Sequence, residues 1–186
     1  VYPCFCTRSD IKAEIERSGS APHGPDGPIY PGICRELDPE KSQKRIEKGE
    51  SHALRLDMKR AASVAGPLSF QDEAHGNVKV EPEKFGDIVL ARKETPTSYH
   101  LAVTVDDHAQ GVTLVTRGAD LFEATHVHRL LQTLLGLDKP QYSHHRLLTD
   151  EAGRRLAKRN GDFSIRSLRG EHYTPDEVRA MTGFEG

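Results

Sequence analysis

The feature that most restricts the fold of this chain is the placement of its three cysteines, Cys4, Cys6 and Cys34, within the first 34 of 186 residues. An odd number of cysteines, two of them a single residue apart, is poorly suited to a disulfide framework. Three thiolates at this spacing supply most of a tetrahedral Zn²⁺ site. For the fourth ligand, chemistry alone favours His23 over Tyr30, because a phenol must first lose its proton. The alternative is three unrelated buried thiols.

Composition limits the classes of function. The net charge is −2, which excludes an overall basic nucleic-acid binder but allows a local basic patch. No apolar run approaches the roughly 20 residues that span a bilayer, and the first residues do not resemble a signal peptide, so we expect a cytoplasmic location. The chain begins at Val1 without an initiator Met, which we interpret as the later part of a longer protein.

Helix signals are clear in four places. Asp38 is a predicted N-cap with Pro39 in the first turn, and Thr174 with Pro175 repeats this arrangement near the end of the chain. A short helix is predicted at 11–17. Another is predicted in THVHRLLQTLLG, with Thr125 as its cap and Gly136 as its stop.

Strands are predicted wherever β-branched and apolar residues cluster. These predicted strands are HALRLDM, FGDIVLARKE, Leu101–Val105, Val112–Thr116 and HHRLL. The alternation of strand and helix from Tyr99 onward fits the second half of a nucleotide-binding α/β sheet, although neither a Gly-x-Gly-x-x-Gly motif nor a Walker loop is present.

Two groups of residues are suited to holding an anionic substrate. Arg117 directly follows an apolar strand, where a guanidinium can grip a carboxylate with two hydrogen bonds, and Tyr99 is predicted to begin a neighbouring strand. The basic loop GRRLAKRNG can hold the charge of phosphates. Taken alone, the loop is also consistent with a solvated basic turn, and Arg117 or Tyr99 alone with a structural role.

Together these segments resemble one family. YHLAVTVDDHAQGVTLVTRGADLF, HRLLQTLLGL and HHRLLTDEAGRRLAKR are similar to the second half of the catalytic domain of glutamyl-tRNA synthetases. The unit CFC…YPGIC narrows the resemblance to the shortened glutamyl-Q tRNA(Asp) synthetases. The resemblance implies an α/β fold: the second half of a Rossmann-like class I aminoacyl-tRNA synthetase catalytic domain with a small zinc-binding insert. It divides the chain into a zinc-binding segment (1–48), a connecting and acceptor-binding insert (49–98) and the second catalytic half (99–186).

The resemblance also implies roles for individual residues. RLAKR (Arg155, Leu156, Ala157, Lys158 and Arg159) stands where the family has its ATP-binding KMSKS-type loop, with Lys158 as the catalytic lysine. Ala157 replaces the usual serine, so one hydroxyl donor is missing. Tyr99 and Arg117 match the glutamate-binding positions. Cys4, Cys6, Tyr30 and Cys34 match the zinc ligands, which reverses the chemical preference for His23.

In that family, glutamate is activated with ATP and Mg²⁺ and is then transferred to queuosine in the anticodon of tRNA(Asp). We therefore expect L-glutamate, ATP and tRNA(Asp) bearing queuosine as partners, a structural zinc ion and a monomer. The family's HIGH-type motif has no counterpart in these 186 residues. We expect the residues alone to be inactive in ATP–pyrophosphate exchange, since adenylate formation needs nucleotide and carboxylate held in line.

Two alternatives stay open. The chain could be a fragment of a glutamyl-tRNA synthetase that charges tRNA(Glu), or a zinc-stabilised RNA-binding module without catalysis. Only 27 residues follow Arg159 (186 − 159), too few for a helical anticodon-binding domain. This favours the queuosine-modifying enzymes over the tRNA-charging ones.

Overall fold

The computed structural model describes residues 1–17, 23–149, 156 and 164–183. Its strands are β1 (Tyr2–Cys4), β2 (His23–Gly24), β3 (Gly27–Pro28), β4 (Ala53–Arg55), β5 (Ser69–Asp72), β6 (Gly76–Lys79), β7 (Val89–Ala91), β8 (Leu114–Gly118) and β9 (Gln141–His145). Its α-helices are α1 (Arg8–Arg17), α2 (Pro39–Glu47), α3 (Met58–Ala65), α4 (Tyr99–Ala109), α5 (Ala124–Leu135), α6 (Ile165–Gly170) and α7 (Pro175–Thr182), with short 3-10 helices at Pro82–Phe85 and Ala119–Leu121.

The described chain divides into two compact units, Val1–Arg117 with Leu121–His144, and Gly118–Asp120 with His145–Gly186. In the second unit, Arg146 donates a hydrogen bond to the carbonyl of Thr182 at 2.6 Å. Helix α7 begins with a capping box in which Thr174 and Glu177 satisfy each other's backbone N–H groups. The predicted caps at Thr174 and Asp38 are thereby confirmed.

The first unit contains a three-stranded sheet of order β1-β4-β7 and a four-stranded sheet of order β6-β5-β9-β8. Strands β5 and β9 run parallel, with Asp72 opposite Tyr142. The apolar face of α5 packs against α3 and the first 3-10 helix through Val127, Leu130 and Leu131, which are almost completely buried. Burial of these side chains is the main favourable term for this unit. Apart from the β5–β6 hairpin, the strands joined in each sheet come from distant parts of the sequence.

The predicted strand Leu101–Val105 is wrong, because these residues lie within α4. Ser98 caps this helix by accepting a hydrogen bond from the Leu101 N–H at 3.4 Å. Thr104 is the buried residue of this helix, and its side chain donates a hydrogen bond to the carbonyl of His100 one turn earlier, at 2.8 Å. The local cap and this packing override the strand preference of Val103, Thr104 and Val105. Tyr99 accordingly begins a helix and not a strand.

Other boundaries also differ from expectation. Strand β8 begins at Leu114, two residues after the predicted start. Strand β9 ends at His145, so it includes only the first two residues of the predicted strand HHRLL. Thr125 is not the cap of α5, since the cap position is Glu123 and Thr125 is fully buried. Gly136 ends the helix in the left-handed conformation, φ 67°, as predicted.

Helix α3 and the β5–β6 hairpin were not predicted. Among the described residues, none of the helices combines the length and apolar character that a membrane-spanning segment requires.

Candidate functional site

The three cysteines are brought together as the spacing predicted. The Sγ atoms of Cys4, Cys6 and Cys34 lie within 4.8 Å of one another, and those of Cys6 and Cys34 are 3.4 Å apart. The Tyr30 hydroxyl oxygen lies 3.3 Å from Cys4 Sγ and 3.5 Å from Cys6 Sγ. His23 is exposed on β2 and is not part of this group. We call Cys4, Cys6, Cys34 and Tyr30 the thiol cluster.

The separations in the thiol cluster suit a tetrahedral metal ion. With metal–sulfur bonds of roughly 2.3 Å and metal–oxygen bonds of roughly 2.0 Å, tetrahedral angles place two sulfurs about 3.8 Å apart and a sulfur and an oxygen about 3.5 Å apart. The observed distances from Tyr30 to Cys4 and Cys6 match the second value. The distances from Tyr30 thus fit a bound ion, whereas the sulfurs of Cys6 and Cys34, 3.4 Å apart, are somewhat closer than the tetrahedral value.

The protein surroundings of Tyr30 favour the neutral phenol, so a phenolate ligand would depend on the charge of a bound cation. Burial, followed by the neighbouring Cys4 and Cys6, raises the pKa of Tyr30 well above its usual range. The backbone N–H of Cys34 opposes this by donating to the phenol oxygen at 3.0 Å. The guanidinium of Arg55 lies 3.8 Å from the centre of the Tyr30 ring and adds positive charge.

The thiols themselves differ in acidity. Burial opposes ionisation of Cys4, but hydrogen bonding with Tyr30 and Arg55 outweighs it and lowers the pKa of this thiol. Burial raises the pKa of Cys6 to about 12. A bound divalent cation would supply the charge that keeps the whole set deprotonated.

A second group of polar residues meets at the ends of three strands. Asp72 is the last residue of β5, and Arg117 and His144 are the penultimate residues of β8 and β9. In open α/β sheets, ligands bind outside the carboxyl ends of parallel strands, and β5 and β9 are parallel. This edge is therefore a candidate ligand-binding site.

Arg117 is held by three protein acceptors. Its Nε–H donates to His144 Nε2 at 3.1 Å, Nη1 to His128 Nδ1 at 3.1 Å and Nη2 to Thr125 Oγ1 at 2.5 Å. A guanidinium has five N–H groups. Within the described part of the chain, these bonds leave one N–H on each terminal nitrogen, the number that a carboxylate needs for a two-point contact.

Tyr99 borders the same group from α4. It is 47% exposed, and its ring centre lies 5.7 Å from that of His128. Tyr99 and Arg117 therefore both contact His128. Of the predicted ATP loop, only Leu156 is described, and its N–H donates to the Leu148 carbonyl at 3.0 Å. Arg155, Ala157, Lys158 and Arg159 lie outside the described residues.

Sequence reasoning missed Asp72, Thr125, His128 and His144 as parts of this group. His128 and His144 both pair with the guanidinium of Arg117. No local pattern signals this, because His144 and Asp72 are 72 residues apart in the sequence.

The fold is that of a class I tRNA synthetase catalytic domain. The family model for class I tRNA synthetases (E and Q), catalytic domain, matches residues 1–184, and the chain belongs to this family.

The chain is 46% identical to a glutamyl-Q tRNA(Asp) synthetase of Rhodobacter capsulatus, over 99% of the chain and 67% of that protein. It is 39% identical to a glutamyl-Q tRNA(Asp) synthetase of Nocardia farcinica, over 97% of the chain and 54% of that protein. The crystal structure of glutamate-tRNA synthetase from Elizabethkingia anophelis matches 87% of this chain and 33% of that chain, at 27% identity and a TM-score of 0.66. The chain thus spans about half to two thirds of the length of these two glutamyl-Q relatives.

Proposed function

We propose that this chain is the part of a glutamyl-Q tRNA(Asp) synthetase that binds the amino-acid substrate, and that the full-length protein activates L-glutamate with ATP and Mg²⁺. The activated glutamyl group is then transferred to queuosine in tRNA(Asp). The observation that carries the proposal is the guanidinium of Arg117, held at the strand ends with an N–H left on each terminal nitrogen. Similarity to enzymes of that name along nearly the whole chain supports it.

Within this proposal, Arg117 binds a carboxylate of glutamate, and the hydroxyl of Tyr99, a residue that is 47% exposed, offers a further hydrogen bond. The glutamate α-carboxylate attacks the α-phosphate of ATP, and pyrophosphate leaves. Lys158, in the loop Arg155–Arg159, stabilises the charge that develops on the phosphates. A hydroxyl of queuosine then attacks the mixed anhydride, and AMP leaves. Arg117 and Tyr99 act by binding and orienting, and Lys158 by electrostatics.

We further propose that the thiol cluster holds a structural zinc ion, which ties the segment from β1 to Cys34 together and takes no part in the chemistry. Cys4, Cys6, Cys34 and Tyr30 would be its ligands. The near-tetrahedral separations support this proposal, and sulfur-rich sites favour zinc over the harder cations Mg²⁺ and Ca²⁺.

The function is tested with the full-length gene product that carries these residues. We expect ATP–pyrophosphate exchange with glutamate in the absence of tRNA, little exchange with aspartate or glutamine, and glutamylation of tRNA(Asp) that contains queuosine. Unmodified tRNA(Asp) is the control and should stay unlabelled. Labelling of tRNA(Glu) instead would identify a tRNA-charging synthetase. Binding of tRNA without glutamate activation would identify a non-catalytic module.

A further inference from the structure

We propose that His144 and His128 are positioning residues for Arg117, and that Asp72 fixes the proton position of His144. Each histidine accepts a hydrogen bond from a different nitrogen of the guanidinium and so holds its plane. This inference rests on the proposed function, in which Arg117 binds glutamate. It adds to that function three residues, His144, His128 and Asp72, that affect the substrate only through Arg117.

Asp72 determines which ring nitrogen of His144 carries the proton. The Asp72 side chain is completely buried, and its Oδ2 lies 2.5 Å from His144 Nδ1. A carboxylate only accepts, so Nδ1 carries the proton and Nε2 has a free lone pair. That lone pair faces the Arg117 Nε–H at 3.1 Å.

Asp72 is itself held firmly in this role. Its Oδ1 accepts hydrogen bonds from the backbone N–H of Ala74 at 3.0 Å and of His75 at 3.1 Å. The His75 ring contributes a third contact at 2.7 Å. These bonds satisfy the carboxylate in its charged form, and the pKa of Asp72 is lowered because they outweigh burial.

Arg117 determines which ring nitrogen of His128 carries the proton. A guanidinium only donates, so His128 Nδ1, 3.1 Å from Nη1, must carry the lone pair and Nε2 the proton. The Nε2–H then donates to His100 Nδ1 at 3.1 Å. His100 in turn presents its own Nε2–H toward Asp26, 3.7 Å from the carboxylate oxygen. One arrangement of protons therefore satisfies the chain from Asp72 to His100.

Aromatic rings pack around this chain of hydrogen bonds. Tyr142 stacks on His144 with ring centres 6.0 Å apart and an angle of 10°, and Phe122 meets His144 edge-on at 5.1 Å. His144 and His128 are almost completely buried. Water therefore cannot readily replace either histidine as a partner of Arg117. Loss of either acceptor leaves a donor of the guanidinium unsatisfied in a partly buried site.

The positioning role predicts an effect on glutamate binding. Loss of one charge-assisted hydrogen bond releases one side of the guanidinium, and we expect the KM for glutamate to rise about 10- to 100-fold. The KM for ATP and kcat should change less than about threefold, because a weaker carboxylate grip affects the bound state and the transition state alike.

The test compares two substitutions of His144 in the full-length protein by ATP–pyrophosphate exchange. In His144→Gln the amide oxygen can occupy the position of Nε2 and accept from Arg117. In His144→Leu it cannot. We expect the glutamate KM to rise in the Leu variant and to be largely restored in the Gln variant. His108→Leu, at the other end of α4, is the matched control and should resemble the wild type.

A spectroscopic measurement reads the proton positions independently of activity. Long-range ¹⁵N–¹H correlation spectra of the wild-type protein at pH 7 should show neutral His144 with its proton on Nδ1 and neutral His128 with its proton on Nε2. The Arg117 Nε–H should exchange slowly in the wild type and in His144→Gln, and quickly in His144→Leu.

The outcomes separate this inference from the proposed function. If the wild type is active but His144→Leu keeps the wild-type glutamate KM, or if the two histidines show the opposite tautomers, the positioning role is wrong while the function stands. If the wild type gives no glutamate-dependent exchange, the proposed function fails, and the role assigned to His144 in glutamate binding fails with it.

Discussion

His128 stays neutral because it is buried beside a cation. Burial, followed by the charge of Arg117, lowers the pKa of His128 to about 2. In the unfolded chain a histidine titrates near about 6.5. Between these values the unfolded chain binds a proton that the folded chain does not. The free energy of unfolding therefore decreases as the pH falls through about 6.5, with a slope for this residue that approaches roughly 1.4 kcal/mol per pH unit about one unit lower.

This pH dependence can be measured by denaturant unfolding at pH 6.5 and 5.5 in wild type and in His128→Asn, whose amide oxygen still accepts from Arg117. We expect the wild type to lose about 1.0 kcal/mol more over this interval than the variant, because an unfolded histidine is already half protonated at pH 6.5. The contributions of other histidines and of the thiol cluster cancel in the comparison. Exposed His108→Asn is the control and should keep the wild-type slope. Equal slopes in the wild type and His128→Asn would contradict the argument.

Tyr30 provides a second test at the scale of one residue. In Tyr30→Phe the ring and its packing against Arg55 remain, but the oxygen near Cys4 and Cys6 is lost. We expect about one zinc per wild-type chain by elemental analysis, and a clear loss of zinc from the variant during competition with a chelator.

His23→Ala is the control for this experiment and should keep its zinc, since His23 is not part of the thiol cluster. Full retention of zinc by Tyr30→Phe would exclude the phenol as the fourth ligand. Loss of zinc from His23→Ala would restore the histidine that chemistry alone favoured.

Among the elements, those fixed by local signals were predictable. The caps Asp38 and Thr174 act within one turn, so their helices could be read from the sequence. Leu101–Val105 was mistaken for a strand because its β-branched residues dominate the local pattern, whereas Ser98 and the packing of the buried face decide the structure. In the candidate site, Arg117 and the cysteines could be predicted from the chemistry of their side chains. Asp72 and His144 could not, because they are brought together only by the parallel pairing of β5 and β9, which the sequence does not reveal.

The start of α4 can be tested through its cap. Ser98 accepts from the Leu101 N–H and is buried, so Ser98→Ala should lower the free energy of unfolding by about 1 kcal/mol. Ser63→Ala, on the exposed side of α3, is the matched control and should change stability by less than about 0.5 kcal/mol. Chemical denaturation measures both. An effect of Ser98→Ala no larger than that of the control would show that packing alone sets this helix start.

For the molecule as a whole, Asp87 joins distant parts of the first unit. The buried carboxylate accepts hydrogen bonds from the Tyr2 hydroxyl at 2.5 Å, the Arg35 Nε–H at 2.7 Å and the Met58 N–H at 3.0 Å. It thereby links β1, the segment after Cys34 and the start of α3. Burial and the bond to Asp87 raise the pKa of Tyr2 well above its usual range, so its phenol stays a donor.

Replacement of Asp87 should weaken all three links together. We expect Asp87→Asn to lower the free energy of unfolding by about 2 to 4 kcal/mol, because Arg35 loses its buried counter-charge and one amide cannot serve three donors. Glu16→Gln, which breaks only an exposed ion pair with Lys12, is the control and should have an effect below about 0.5 kcal/mol. A loss as small as that of the control would mean that Asp87 does not join these segments energetically.

The closeness of the sulfurs also has a redox consequence. Cys6 Sγ and Cys34 Sγ are 3.4 Å apart as free thiols, and a disulfide bond is about 2.05 Å long. If the proposed zinc ion is removed, this pair is therefore open to oxidation, and the cross-link would block rebinding. Metal content and free-thiol content would then fall together. A preparation low in zinc should be assayed for free thiols before its behaviour is attributed to the missing ion.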